Sequence, residues 1–271
     1  MNHTPRPRRR RLLSAALGAA CLAIFAGCTG PPDDNDPPEP SSSPDASALR
    51  DHIVDGVAVE DRGFATFPVP GGDGTRRIVG AAAVFRNETD QPMRIHVRYR
   101  LVDGTGRGWR SEKLNDWQAI VSAGWAYLPA GQTVELGDVD QFDTEEAGRV
   151  ARIVLDVIGE GKPAPRSVLL PARIESVQHR PTPKDEWDHV SFGVDNPAFG
   201  FEGPNYGMVF RSADGRLIGG WFVDRAHWGD IESALPDNET DEYPPGASRH
   251  TLPAWLPPDI APNGVTMYVW P

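Results

Sequence analysis

The sequence predicts a mainly β protein built as two tandem β-sandwich domains, which follow a signal peptide and a disordered linker. Three observations predict this class. Apolar and polar residues alternate in many segments after about residue 53, as half-buried strands require. The 28 glycines and 27 prolines would interrupt most helices. Similar landmarks also recur at an offset of about 110 residues.

The amino terminus has the pattern of a signal peptide, which we place at residues 1–27. Arg6 and the four arginines at 8–11 make it cationic, and no acidic residue precedes Asp33. An apolar stretch follows at residues 12–25. At about 1.5 Å per residue it is too short to cross the ~30 Å hydrocarbon core comfortably. These features predict export.

The end of the signal peptide reads Phe25-Ala26-Gly27-Cys28, which resembles the lipobox of bacterial lipoproteins. The resemblance implies transfer of diacylglycerol to the Cys28 thiol, cleavage before Cys28 and acylation with chains such as palmitate. Two or three such chains would hold the protein stably at the cell membrane, facing outside the cytoplasm. A plain secretory signal cut nearby, or an uncleaved anchor, remains the alternative.

The composition of the mature part limits its partners and its chemistry. Cleavage before Cys28 leaves 244 residues with 22 basic and 38 acidic side chains, a net charge of −16. This charge disfavours nucleic acid and electrostatic attachment to anionic lipid. Cys21 is removed and Cys28 is acylated, so the body can form no disulfide. No cofactor is expected.

Residues 28–48 form the predicted linker between the lipid and the body. After the lipidated Cys28 they are mainly Pro, Asp and Ser, without a large apolar residue, so they cannot bury enough surface to fold. As a random coil the linker would reach about 25 Å. The body can therefore stand away from the membrane.

Period-two alternation marks the strands of the body. It is clearest at residues 94–101, RIHVRYRL, which end at the turn dipeptide Asp103-Gly104. The predicted strands are 53–60, 77–87, 93–102, 132–137 and 151–158 in the first half, and 172–179, 188–195, 205–212, 216–224, 247–252 and 264–270 in the second.

An internal repeat divides the body at residues 159–165. Asn87 corresponds to Asn196, Asp103-Gly104 to Asp214-Gly215, and Trp109 to Trp221; the segments 128–136 and 151–157 correspond to 243–252 and 264–270. The repeat predicts one β-sandwich at 49–162 and a second at 163–271. One larger sandwich with accidental similarity is the alternative.

Each repeat resembles the envelope modules called FxLYD, and more broadly the immunoglobulin-like and fibronectin-like modules of lipoproteins. Leu101-Val102-Asp103 stands where that family has Leu-Tyr-Asp, and the second copy reads Ser212-Ala213-Asp214. The resemblance implies tandem immunoglobulin-like domains that bind or separate partners and catalyse nothing.

Motifs of common catalysts are absent from the sequence. It has no Gly-x-Ser-x-Gly, His-Glu-x-x-His or phosphate-binding glycine loop. Four histidines of the second half, His179, His189, His227 and His250, could converge, although scattered surface positions are the alternative.

One acidic loop imitates a calcium-binding sequence. Asp237, Glu239 and Asp241 alternate like calcium ligands, but Glu242 and Ser248 occupy the positions where an EF-hand needs Gly and Glu. No metal site is predicted; the loop remains a weak calcium candidate, with a solvated acidic loop as the alternative.

Of the eight tryptophans, Trp117 and Trp228 have the most polar surroundings. They are therefore the candidates for exposed rings that bind a sugar or a protein, whereas the others are expected to pack in cores or between domains.

Two functional hypotheses result. The first is a membrane-anchored, non-catalytic lipoprotein that presents its β-sandwiches to an envelope protein or glycan. The second is a carbohydrate-active or metal-assisted envelope enzyme that uses carboxylates such as Asp138, Asp140, Asp230 and Glu232.

Overall fold

The computed structural model describes residues 49–111, 117–160, 168–179, 187–197, 200–202, 204–223 and 242–271. The predicted signal peptide, the lipobox with Cys28 and the linker lie outside the described residues, as does most of the predicted junction at 159–165.

Within the described residues the chain forms seventeen strands and one short helix. In the first half these are β1 (His52–Ile53), β2 (Val57–Pro68), β3 (Arg76–Asn87), β4 (Met93–Val102), β5 (Arg110–Ser111), β6 (Trp117–Gln118), β7 (Ile120–Leu128), β8 (Thr133–Asp143), α1 (Thr144–Arg149) and β9 (Arg152–Glu160). In the second half they are β10 (Leu170–Gln178), β11 (Asp188–Asn196), β12 (Phe201–Glu202), β13 (Asn205–Ser212), β14 (Leu217–Val223), β15 (Glu242–Tyr243), β16 (Gly246–Ala254) and β17 (Ile260–Trp270).

Two sheets of the first half face each other across one core. A three-stranded sheet has the order β2-β3-β8, and a four-stranded sheet has the order β1-β9-β4-β7. Alternate residues of β4, such as Val97 and Tyr99, are buried between them, as the period-two pattern predicts. The Tyr99 hydroxyl donates a hydrogen bond of 2.6 Å to the carbonyl oxygen of Leu136 on β8. This bond joins the two sheets.

The second half repeats this pairing order. Its six-stranded sheet runs β14-β13-β17-β10-β11-β16. The run β10-β11-β16 has the same order as β2-β3-β8, and β17-β13-β14 has the same order as β9-β4-β7. Strand β10 links the two runs, because Leu170 and Pro171 pair with β17 while Ala172 to Gln178 pair with β11.

The asparagine, turn and late-strand landmarks of the repeat occupy equivalent places in these runs. The predicted match of Trp109 with Trp221 is wrong, because Trp109 lies between β4 and β5 whereas Trp221 lies on β14, the equivalent of β7. Asn87 ends β3 and Asn196 ends β11; both are fully buried. Asn87 Nδ2 donates to the carbonyl oxygen of Leu128 at 3.1 Å, and Asn196 Nδ2 donates to that of Pro244 at 3.4 Å. Each asparagine thus satisfies a backbone carbonyl beyond its strand, which is a physical reason for the recurrence.

The two halves meet where β14 crosses the three-stranded sheet. Strand β3 is buried on both faces, with a second small core of Ala82, Val84, Val209 and Leu217 beneath it. We call the glycines at this crossing the glycine seam: Gly80 and Gly137 of the first half, and Gly219 and Gly220 of β14. A Cβ on Gly80 would lie 2.9 Å from Gly219 Cα, so backbone packs directly on backbone.

The chain is therefore mainly β, as predicted, with sheets packed as β-sandwiches. Residues Ala46–Pro271 form one compact unit. The division of this unit into two domains at about residue 162 stays a prediction.

Candidate functional site

Most residues singled out from the sequence lie outside the described part of the chain. These are Cys28, Trp228, the acidic loop of Asp237, Glu239 and Asp241, and the carboxylates Asp230 and Glu232. Trp117 lies in β6, but its side chain is not among those described. Their proposed roles stay predictions.

Three described tryptophans of the second half form one cluster. The rings of Trp187 and Trp255 are stacked with centroids 5.2 Å apart, and Trp221 meets them edge-on at 5.8 and 5.3 Å. Trp221 is 7% exposed and belongs to the core. The three rings therefore fill part of the hydrophobic core of the second half.

The described histidines of the second half do not converge. His179 Nδ1 lies 3.6 Å from a carboxylate oxygen of Asp188, and His189, the next residue of β11, points to the opposite face of the sheet from Asp188. His250 stacks on Phe192 in the core. His227 lies outside the described residues. Among the residues that the structure describes, no group of three or more His, Cys, Asp or Glu side chains is placed to hold a metal ion.

The described candidate carboxylates are held by backbone groups. Asp138 accepts a hydrogen bond of 3.0 Å from the backbone N–H of Phe222, which lies on β14. Asp140 accepts one of 2.7 Å from the N–H of Gln141. Asp138 therefore joins the two halves of the compact unit.

A cleft of about 760 Å³ opens between the first and second halves, and its walls carry four arginines and three aspartates. We call it the arginine cleft. Its walls come from Leu49–Asp51, which directly follow the predicted linker, from Asp61–Phe64 of β2, from Arg152 and Ile153 of β9, and from Asp214–Leu217 at the turn between β13 and β14.

Two local features shape this cleft. Strand β2 has a register irregularity between Val59 and Asp61, where it begins to line the cleft. At Gly63 a Cβ would lie 2.1 Å from the carbonyl oxygen of Leu217, so only glycine lets β2 approach β14 this closely. The two halves thus meet at the floor of the cleft.

The first wall of the cleft holds a fixed ion pair. Arg62 Nη1 lies 2.8 and 2.7 Å from the two carboxylate oxygens of Asp51. Asp51 also accepts a hydrogen bond of 3.0 Å from the backbone N–H of Leu155. Because Leu155 belongs to β9, this bond attaches the start of the body to the four-stranded sheet.

The opposite wall is the turn between β13 and β14. Gly215 has φ +82, and its N–H donates to the carbonyl oxygen of Ser212 at 2.9 Å. Asp214 accepts hydrogen bonds from the Ser212 hydroxyl and from Arg216 Nε, the latter at 2.7 Å. The Ser212 hydroxyl first, and then Arg216, lower the pKa of Asp214 to about 2. The carboxylate is therefore ionised at neutral pH and holds Arg216 in place.

The remaining charged residues of the cleft do not balance one another. Asp61 lies 3.6 Å from Arg211, which also binds Glu135 at 2.7 Å. Arg152 donates to the carbonyl oxygen of Leu49 at 3.2 Å, and within the described part of the chain neither Arg152 nor Arg50 forms an ion pair. The carboxylates are thus engaged by other arginines, and two cations remain for a ligand.

Beside the cleft a buried carboxylate organises the outer face of the four-stranded sheet. Asp156 on β9 is 4% exposed and binds Arg98 at 2.7 Å, Arg100 at 2.8 Å and His52 at 3.1 Å. Burial raises the pKa of Asp156, but the hydrogen bond and charge of Arg100, and the charge of Arg98, outweigh it and hold the pKa below its ordinary value of 3.8. Asp156 is therefore an anion at neutral pH.

The arginine cleft could not be recognised in the sequence. Its residues come from four separate segments, and spacing within the chain does not show that these segments meet. The run RIHVRYR at 94–100, in which every second residue is basic, marks the outer face of β4 and lines none of the cleft walls.

Comparisons with known proteins identify no family. No protein-family model matches the chain, and no curated protein matches it. Among solved structures, red sea bream transglutaminase is similar over 75% of this chain and 28% of that chain, with 10% identity and a TM-score of 0.20. The chain thus spans less than a third of the length of that enzyme, and a similarity this remote supports no argument about fold or function.

The described residues contain no helix with the length and apolar character of a membrane span.

Proposed function

We propose that the protein is a lipid-anchored, non-catalytic binding module on the outer side of the cell membrane, and that the arginine cleft is its binding site. The observation that carries this proposal is the position of the cleft. Its first wall is Leu49–Asp51, the start of the compact body, immediately after the predicted 28–48 linker. A lipid on Cys28 would therefore hold the cleft at the tethered end of the body.

The geometry of the cleft supports binding. Ligand sites form preferentially where two packed bodies meet, and a volume of about 760 Å³ is within the ordinary range for such sites. The paired side chains Asp51–Arg62 and Asp214–Arg216 fix its walls, so little conformational entropy is lost when a ligand enters. Arg50 and Arg152 supply charge that these pairs do not neutralise.

The same geometry favours binding over acid–base catalysis at this site. A general acid for glycoside cleavage needs a carboxyl group with a raised pKa. Asp214 has a pKa of about 2 instead, and Asp51 is held by both Arg62 and a backbone N–H. These carboxylates are suited to orienting arginines. The competing hypothesis is the envelope enzyme that uses Asp138, Asp140, Asp230 and Glu232, although Asp138 already accepts a hydrogen bond from the backbone N–H of Phe222.

The anchor is tested by cell fractionation with a matched pair of cysteine variants. Cys28→Ala removes the acylated thiol, whereas Cys21→Ala changes the other cysteine of the chain, inside the signal peptide. We expect the wild type and Cys21→Ala to incorporate an alkyne-labelled palmitate and to sediment with membranes, and Cys28→Ala to lose the label. Equal labelling of all three proteins, or of none, would contradict the anchor.

A further inference from the structure

The outer face of the four-stranded sheet carries a row of cationic side chains along its central strand. Residues 95, 97, 99 and 101 of β4 face the core and are at most 1% exposed. Arg94, His96, Arg98 and Arg100 therefore lie on the opposite, outer face. Alternate residues of a strand are about 6.7 Å apart, so this row is about 20 Å long.

The row continues into the arginine cleft. On β9 Ile153, Leu155 and Val157 belong to the core between the two sheets, which places Arg152 on the outer face together with Val154 and Asp156, both of which are buried there. In the register of the two strands Arg100 lies opposite Val154, and Arg152 lies opposite Val102. Arg152 is thus the next cation after Arg100, and it also lines the cleft. We call Arg94, His96, Arg98, Arg100 and Arg152 the arginine track.

The track keeps positive charge after its internal pairing. Arg98 and Arg100 share one carboxylate, that of Asp156, so one of the two guanidinium charges is balanced. Arg94 is exposed, lies over the Trp125 ring at 4.9 Å and stands opposite Glu160 in the register of β4 and β9, so the excess charge comes from one of Arg98 and Arg100 and from Arg152. Arg152 lacks a carboxylate partner among the described residues. The body, residues 46–271, has 22 basic and 33 acidic side chains and is therefore negatively charged. The arginine track is a positively charged region on this negatively charged body.

From this surface we infer that the protein binds a linear acidic glycan, whose carboxylates pair with the arginine track and whose end enters the arginine cleft. The inference rests on the proposed function and names the class of ligand. Guanidinium groups pair with carboxylates through two parallel hydrogen bonds, and their planar shape suits a series of such groups along a chain. A row one strand wide fits a linear ligand.

The neighbours of the track favour a glycan over other polyanions. On β7, next to β4, the outer positions include Ser122 and Tyr127, both at least partly exposed, whereas the Trp125 ring between them already contacts Arg94 and His96. Such aromatic and hydroxyl groups offer rigid amphipathic contact area for sugar rings between the charges. A bilayer would need a plane of apolar or cationic groups. The acidic body would repel a nucleic acid, with a charge on every residue, more strongly than a glycan with a charge on every second sugar.

The test measures binding of a labelled hyaluronate oligomer, a linear glycan with a carboxylate on every second sugar, by fluorescence polarisation. The protein is the full mature chain in nonionic detergent. A carboxyl-reduced oligomer of the same length is the ligand control, and poly-L-glutamate and oligothymidylate represent the other polyanions. We expect the hyaluronate oligomer to bind more tightly than all three, with an affinity that falls as salt is added.

Variants then locate the site. Arg94→Gln and Arg152→Gln should each weaken binding about two- to fivefold, as the loss of one exposed charge pair does. Because the two positions lie far apart along the track, the double variant should multiply the losses. Arg94→Lys should retain part of the affinity. Arg249→Gln is the matched control, since this exposed arginine lies on β16, outside the cleft and the track. Unchanged melting temperatures would show that the variants are folded.

Three results would overturn the inference: wild-type affinity in the Arg94→Gln/Arg152→Gln double variant, an equal loss in Arg249→Gln, or equal binding of poly-L-glutamate or oligothymidylate. The assay does not depend on the anchor. An unlipidated protein that still binds the oligomer would contradict the anchor alone, and a lipidated protein that does not bind it would contradict this inference alone.

Discussion

Substitution of Gly220 by alanine tests how closely the two halves of the compact unit are packed. Gly220 lies on β14, in the glycine seam. A Cβ at this position would lie 2.4 Å from the carbonyl carbon of Gly137, 2.5 Å from Gly137 Cα and 2.5 Å from the carbonyl oxygen of Met208. All three atoms belong to the backbone of neighbouring strands, so no side-chain rotation can relieve the contacts.

The size of the effect follows from this geometry. Normal carbon–carbon contacts lie at about 3.5–4.0 Å, so the sheets at the seam would have to separate by about 1 Å. Overpacking a well-packed core typically costs about 1–3 kcal/mol, occasionally more. Because the clash involves backbone on two strands, we expect Gly220→Ala to lower the free energy of unfolding by about 3 kcal/mol or more.

Urea unfolding followed by tryptophan fluorescence measures this loss. Gly104→Ala is the control, because a Cβ on Gly104 would have no heavy atom within 4 Å and the residue has no positive φ. Gly104→Ala should leave the free energy of unfolding within about 0.5 kcal/mol of the wild type. If Gly220→Ala unfolds at the same urea concentration as Gly104→Ala, this result would contradict the close packing of the backbones of the two halves.

Three further substitutions test single contacts, each by urea unfolding of the mature protein. Tyr99→Phe leaves the buried carbonyl oxygen of Leu136 without its 2.6 Å donor and should cost about 1–2 kcal/mol; no change would contradict this bond. Gly215→Ala forces a side chain to φ +82 and should cost about 1 kcal/mol, although nothing lies within 4 Å of the new Cβ; a stabilised variant would contradict the turn geometry. Asp156 has a lowered pKa in the folded state, so its ionised form contributes stability above the ordinary aspartate range, and this contribution is lost as the pH falls through the folded-state pKa. Asp156→Asn should therefore be less stable than the wild type at pH 7, with a difference that shrinks below about pH 4; a constant difference at all pH values would contradict the charged pairing with Arg98 and Arg100.

The strands were largely predictable because burial of one face leaves a direct trace in the sequence. The predicted strand 93–102 coincides with β4, and the alternating residues face the core and the solvent as expected. The predicted strand 132–137 is the first half of β8, which continues to Asp143. Local alternation therefore located most of the long strands, but their ends were less well defined: the predicted strand 53–60 joined β1 to the start of β2, which continues to Pro68.

Strand β7 was not predicted, because its alternation of apolar and polar residues is broken. The pairing of β7 with β4 shifts register between His96 and Arg98, and Gly124 of β7 has φ +55. A bulged strand with Ser122 and Gly124 in its middle has neither a continuous apolar run nor a period of two.

Contacts between distant segments could not be predicted from spacing. Gly219 and Gly220 were included in a predicted strand at 216–224. Glycine is needed at these two positions because the backbone of Gly80 and Gly137 packs directly against them. The arginine cleft likewise unites Arg62, Arg152 and Arg216 only after folding. By contrast, the repeat of asparagines and turns was visible in the sequence, because equivalent strand ends need equivalent hydrogen bonds.

The most direct test of the lipid anchor is the mass of the amino-terminal peptide of the protein purified from membranes. Trypsin would release residues 28–50, because the chain has no lysine or arginine between Cys28 and Arg50. We predict a peptide that begins at Cys28 and carries diacylglycerol on its sulfur. A peptide that begins at another residue, or one with a free Cys28 thiol, would contradict it.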